Sequence, residues 1–187
     1  TMRPAMVLFQ WAANPEIQTL VRDRSCVAQF IGILALTDLT QYWIHRAFHA
    51  LPALWRFHQR HHAAESMDWL AGSRLHLVDV AVTRGLTYVP IYVLGFSEAP
   101  LFAYVAFVSV QATFIHANVR FKFGPLAWIV ATPQFHHWHH GAEAEAIDKN
   151  FAVHLPVIDW LFGTFHLPKG RWPASYGLAH GEPIPEG

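Results

Sequence analysis

The sequence is poor in several features that most small soluble domains rely on. A single cysteine, Cys26, stands among 187 residues. No disulfide can close within the chain, and no cysteine-based zinc or iron–sulfur site can be built. Charge is scarce as well: 14% of residues are charged, against roughly 25% in typical soluble domains. The 13 basic and 13 acidic residues cancel, so the chain lacks the basic footprint of a nucleic-acid binder. No haem-attaching CxxCH, dinucleotide-binding GxGxxG or low-complexity tract is found.

Two things are abundant. Hydrophobic residues reach 53%, and histidine occurs 14 times, more often than either class of charge. This composition reads as a membrane protein with a chemical use for imidazole. The length suits one domain of ordinary size.

Three apolar stretches could cross a bilayer. Ser25 caps a predicted helix over 27–48, which exceeds the roughly 20 residues a span requires. Leu51–Pro52 ends it. Segments 77–96 and 101–117 read as a helical hairpin joined by a tight turn at "SEAP". Segment 155–165 reads as a short amphipathic element at the interface, and the Pro- and Gly-rich tail as irregular. These spans make a topological prediction. His45 and His49 leave the first helix on one side of the membrane, and His58, His61 and His62 follow there. His76 opens the hairpin from that side, His116 returns to it, and the cluster at 136–140 comes next. Arg46, Arg56, Arg60, Arg74, Arg120 and Lys122 share this face, whereas the turn at 97–100 has no basic residue. The positive-inside rule therefore places the histidines in the cytosol, with Arg22 and Arg24 as opposing charges on the other side.

The spacing of the histidines is specific. "HRAFH" sets His45 and His49 one helical turn apart. "HQRHH" (His58, His61, His62) and "HHWHH" (His136, His139, His140) repeat an HxxHH pattern. On a helix this presents i, i+3 and i+4 together, so three imidazoles from one turn can reach one ion or bridge toward two. The three boxes supply eight nitrogen ligands, and His116 is expected as a ninth. A tetrahedral zinc would use four, so the set argues for two metals with open positions. Imidazoles suit iron, zinc, copper or nickel and exclude calcium or magnesium. Asp38 lies two turns before His45 and is expected to orient a ligating imidazole by accepting its second N–H. His76 and Asn118 are further candidates to support ligands from behind. Asp79 and Arg84, both inside an apolar helix, read either as such support or a polar substrate contact, or as a structural pair with a neighbouring helix. His137 breaks the repeated spacing and is expected to be a bystander. His154, His166 and His180 fall outside the clusters and are expected at the interface or in solvent.

The ordered boxes resemble those of the fatty acid hydroxylase/sterol desaturase superfamily. "SRLH" at 73–76, "FIHAN" at 114–118 and "DKNFAVHLPVIDWLFGTF" at 148–165 resemble further motifs of that family, and the likeness covers about residues 30–170. The last block adds Asp148 and Asn150 as supporting candidates. The resemblance implies an all-α fold: an integral membrane helical bundle with a cytosolic, histidine-lined metal-binding cap, formed by residues 1–187 as one domain. It implies a centre of two iron ions, O2 as co-substrate, a lipid substrate and a separate electron-donor protein. Zinc could replace iron in purified protein. The absence of a KDEL-type retrieval signal favours a bacterial inner membrane over the endoplasmic reticulum.

The leading expectation is therefore a lipid hydroxylase. A lipid or sterol desaturase is the alternative within the same chemistry, since both reactions begin with hydrogen abstraction. A metal-binding membrane protein without oxidase activity is the alternative of another class. A transporter would gather ligands near the bilayer midplane, not at one face.

Overall fold

A computed structural model describes residues 12–178 of the chain. Among the described residues the regular elements are helical, and the only bridge is an isolated one between Gly141 and Tyr176. The α-helices are α1 (Pro15–Arg22), α2 (Cys26–Ala50), α3 (Pro52–His62), α4 (Leu77–Leu94), α5 (Glu98–His116), α6 (Pro133–His139) and α7 (Val157–Leu161).

Local chemistry sets the boundaries. Asn14 caps α1 by accepting from the Glu16 and Ile17 amides, and Ser25 caps α2 by accepting from Ala28 N–H. Leu51 is extended because a residue before proline avoids the helical region, so α2 stops and α3 begins at Pro52. Gly95 ends α4 at φ +67°, where a Cβ would be strained. The hairpin turn thus lies at Gly95–Ser97, slightly before the expected "SEAP", because Glu98 to Pro100 already fit the first turn of α5.

Helices α4 and α5 are long and apolar enough to cross a membrane, with a mean hydropathy of 1.4 each. Only 17% and 28% of their apolar windows are buried, so most of this surface must meet something other than water. The expected third span, α2, has the length but not the apolarity. Its second half carries Asp38, Gln41, His45, Arg46 and His49, although Val27, Ile31, Leu39 and Trp43 leave an exposed apolar stripe along another face. The all-α membrane bundle stands, with two membrane-capable helices among the described residues rather than three.

Ile33, Ile91 and Tyr104 pack where α2, α4 and α5 meet. At one end of this trio α1 closes the bundle: Arg22 donates to the Gly95 carbonyl and Gln18 to that of Val93. The C-terminal end of α2, the start of α4 and the end of α5 lie together at the other end. The histidines collect there. The segment after α6 is extended and has no strand partner. Its five consecutive amides from Phe151 to Leu155 donate to two buried carboxylates instead. Asp159 takes those of Phe151 and Ala152, and Asp38 takes those of Val153, His154 and Leu155. The short helix α7 buries Ile158 and Asp159 and exposes Trp160 and Leu161, as an interfacial element should. His180 and the end of the tail lie outside the described residues.

Candidate metal centre

Nine imidazoles form two groups. His45, His49, His58, His62 and His139 make one; His61, His116, His136 and His140 make the other. Within each group the candidate ligand atoms lie within 4.8 Å of one another. These are the nine histidines singled out in the sequence. His137 lies outside both groups, with Nδ1 3.0 Å from the Tyr176 hydroxyl.

Each HxxHH box is divided between the groups by helical geometry. Residues i and i+4 differ by about 40° around a helix, whereas i+3 falls about 60° to the other side. In the second box His58 and His62 stay together and His61 departs; in the third, His136 and His140 stay together and His139 departs. The i+3 member of each box thus joins the other group. The groups touch through the stacked rings of His62 and His140, whose centroids are 4.5 Å apart.

The outward nitrogens determine which way the lone pairs point. His45 Nδ1 lies 2.8 Å from the Phe151 carbonyl, His139 Nδ1 2.8 Å from that of Lys149, and His116 Nδ1 2.7 Å from that of Ala112. His58 Nδ1 lies 2.7 Å from Asp79 Oδ2, and His49 Nδ1 3.2 Å from Asp148 Oδ1. Carbonyls and carboxylates only accept, so Nδ1 carries the proton in these five rings and Nε2 is bare. Burial, and then the neighbouring imidazoles, hold His58, His61, His62, His136, His139 and His140 well below the ordinary imidazole range. These six are therefore neutral at physiological pH, the form that binds metal.

This arrangement tests whether a metal fits. His45 Nε2 and His58 Nε2 face each other at 3.0 Å, and both are acceptors. His49 and His62 meet through Nε2 at 3.2 Å, His116 and His136 at 2.9 Å, His136 and His140 at 3.2 Å. For His45 and His58, whose protons are both held on Nδ1, the opposed lone pairs repel at this distance unless a cation lies between them. Nitrogens bound at right angles to an ion about 2.1 Å away would be about 3.0 Å apart. His139 Nε2 is buried and has no hydrogen-bond partner. Two ions fit this donor set.

The supporting residues differ in part from expectation. Asp38 touches no imidazole; its carboxylate is consumed by the three amides of the 153–155 segment, which no strand satisfies. Its effect on His45 runs through that segment, whose Phe151 carbonyl holds the ring. His76 caps α4 by accepting from Val78 N–H, so its ring is committed to the backbone. Asn118 is exposed, beyond the end of α5, and lies outside both groups. Asp148 does hold a ligand candidate, His49. Asn150 holds the backbone instead: its amide spans the carbonyls of Phe135 and His166 and accepts from His166 N–H. Both residues adopt positive φ, 57° and 59°, a conformation that Asp and Asn tolerate better than most residues. That bend lets one short loop present Asp148, Lys149 O and Phe151 O to three different imidazoles.

Sequence reasoning missed the carbonyl acceptors, for which no residue type gives a signal. It also misplaced His154, which is 1% exposed because Asp38 draws its backbone inward. His166 is half-buried against Trp138.

A cavity of about 220 Å³ opens beside the groups. His45, His58, His61, His116 and His136 line one part of it, and Phe48, Val80, Val108 and Ile115 supply apolar wall. A second cavity of about 270 Å³ is bounded by His49, His62, His139, Trp55 and Asp148.

Comparison with known proteins agrees with this picture. The fatty acid hydroxylase family model matches residues 30–164. The ornithine lipid hydroxylase OlsE of Rhizobium tropici is 33% identical over 146 residues, 78% of this chain and 44% of that protein. The alkylglycerol monooxygenase of Homo sapiens is 32% identical over 151 residues, 81% of this chain and 32% of that protein. The methylsterol monooxygenase 1-2 of Arabidopsis thaliana is 26% identical over 145 residues, 74% of this chain and 46% of that protein. The chain thus spans less than half the length of these curated relatives. No solved structure matches it. The chain belongs to the fatty acid hydroxylase family.

Proposed function

We propose that the chain is an O2-dependent lipid hydroxylase whose two histidine groups hold two iron ions at the cytosolic face of a membrane. The observation that carries this reading is the pair of imidazole groups, lone pairs turned inward, opening onto a cavity with apolar walls. The names of the relatives, hydroxylase and monooxygenase, and their lipid substrates support the reaction class. On this reading residues 1–187 form one membrane-embedded domain.

His45, His49, His58, His62 and His139 would hold one ion, and His61, His116, His136 and His140 the other. Iron bound there, with O2 and two electrons from a separate donor protein, supplies an oxidant able to break an unactivated C–H bond, which no side chain can do. Zinc would fit the same imidazoles in purified protein. The chain's own part is to hold and shape. Asp79, Asp148 and the carbonyls of Ala112, Lys149 and Phe151 keep the Nδ1 protons outward, so each ring offers Nε2 inward. The apolar walls exclude water from the reacting carbon and give an alkyl chain a place beside the ligand histidines. The basic residues at the histidine end favour the cytosolic side, and a bacterial inner membrane is the favoured location.

Lipid mass spectrometry tests the reading. Cells expressing the chain are compared with cells expressing His139→Ala, with iron and an electron donor supplied. A lipid that gains one oxygen only with the intact chain is the expected result. Loss of two hydrogens would indicate a desaturase. An unchanged lipid profile, with expression and iron loading confirmed, would overturn the oxygenase reading and favour metal binding without oxidation.

A further inference from the structure

A cation lines the apolar cavity. It is Arg84 of α4, an exposed residue at the cavity's edge, and the Asp79 side chain lines the same cavity. Among the described residues Arg84 has no ion pair and no hydrogen bond. The nearest acid in sequence, Asp79, is occupied: Oδ2 meets His58 and Oδ1 accepts from Thr83. Gln41 lines the same cavity from α2, and among the described residues its amide has no hydrogen-bond partner. Two unpaired donors on different helices therefore share a cavity otherwise walled largely by apolar side chains and ligand candidates.

Their position matters. Arg84 lies seven residues into a membrane-capable helix, about 10 Å along its axis from Leu77. A guanidinium at such a depth is costly unless it is paired or reaches water. Helical side chains lean toward the N-terminus of their helix. The N-terminus of α4 is its histidine end, so Arg84 leans toward the proposed centre. Its planar fork of donors matches a carboxylate or a phosphate bidentately.

We propose that this cavity takes a lipid bearing an acidic group, phosphate or carboxylate, and that Arg84 selects it, with Gln41 as a second donor. The acidic group and the oxidised carbon would then share one cavity, so oxidation would fall near the headgroup rather than far down an acyl tail. This deepens the lipid-hydroxylase reading and rests on it for the role of the cavity.

The test is a binding measurement that needs no turnover. The full chain, purified in maltoside micelles, is titrated with radiolabelled dodecyl phosphate, dodecanoate and dodecanol. The two acids should bind about tenfold or more tightly than the alcohol. Arg84→Gln should erase that preference, and Arg84→Lys should keep most of it while reporting on the fold. Equal binding of dodecanol by the intact chain, or an acid preference that survives in Arg84→Gln, would overturn the proposal. Inorganic phosphate in excess should fail to displace dodecyl phosphate. Displacement by it at comparable concentration would assign Arg84 to a free anion and overturn the lipid claim. Failure of the oxygenase reading appears elsewhere, as an unchanged lipid profile, and is distinguishable from a lost binding preference.

Discussion

Asp79→Asn should loosen the metal centre while leaving the helices intact. The Asp79 carboxylate and the His58 ring are 2.7 Å apart, with both side chains 6% exposed. Among the described residues Asp79 is the one carboxylate buried against a ligand candidate, since its counterpart Asp148 is 66% exposed. It keeps the His58 proton on Nδ1 and makes Nε2 a better donor to a metal. Asparagine has nearly the same shape and can still accept through Oδ1, but it brings no negative charge. Loss of such support typically lowers metal affinity by about 10- to 100-fold, which corresponds to about 1.4–2.7 kcal/mol. With the asparagine oxygen turned to His58, the amide NH2 takes the place of the carboxylate oxygen 3.1 Å from Thr83 and can donate to its hydroxyl, so α4 loses little. The assay is chelator competition, with retained metal measured by elemental analysis and helix content by circular dichroism. Asp79→Ala should do worse, because it also leaves a buried N–H without a partner, at a further cost of about 1–3 kcal/mol. The reasoning would be refuted if Asp79→Asn kept native helix content and its chelation midpoint moved by less than about twofold.

Two further outcomes follow from other parts of the site. Asn150→Ala removes three hydrogen bonds of 2.7–2.9 Å from a fully buried side chain and leaves alanine at φ 59°. It should destabilise the chain by about 3 kcal/mol or more, read as a lowered thermal midpoint, and should loosen α6, which carries the third histidine box. His154 gives a pH dependence. Burial pushes it down to about 4 from an ordinary 6.5. Above pH 6.5 the ring is neutral in both folded and unfolded chain. As pH falls below 6.5 the unfolded chain takes up a proton that the folded chain refuses, so stability is lost between 6.5 and about 4. From pH 8 to pH 5 the intact chain should lose about 2 kcal/mol more than His154→Gln, measured as the difference in their melting curves.

Much of the site could be read in the sequence because its information is local. The spacings HxxxH and HxxHH fix which imidazoles share a helix face, and all nine expected histidines enter the two groups. Ser25 and Pro52 mark the ends of α2 for reasons that involve only neighbouring residues. What the sequence concealed is non-local. Nothing in "DKNF" tells that its carbonyls hold rings from α2 and α6, because every residue has a carbonyl. Asp38 lies in register with His45 on α2, yet five amides without a strand partner claim it and Asp159 first. The same demand buries His154, which residue type alone places outside. The count of spans failed for a related reason. Helix α2 has the length of a span, but the polar residues that serve the centre leave it less apolar than α4 and α5.

The central claim is that nine histidines hold two metal ions, and metal stoichiometry tests it most directly. The chain would be expressed with iron, purified in detergent and analysed for bound transition metal per polypeptide, beside His139→Ala from one group and His136→Ala from the other. The account predicts about two ions in the intact chain and a loss in each variant with helix content kept. A folded, intact chain that binds no metal, or one ion that both variants retain, would contradict it.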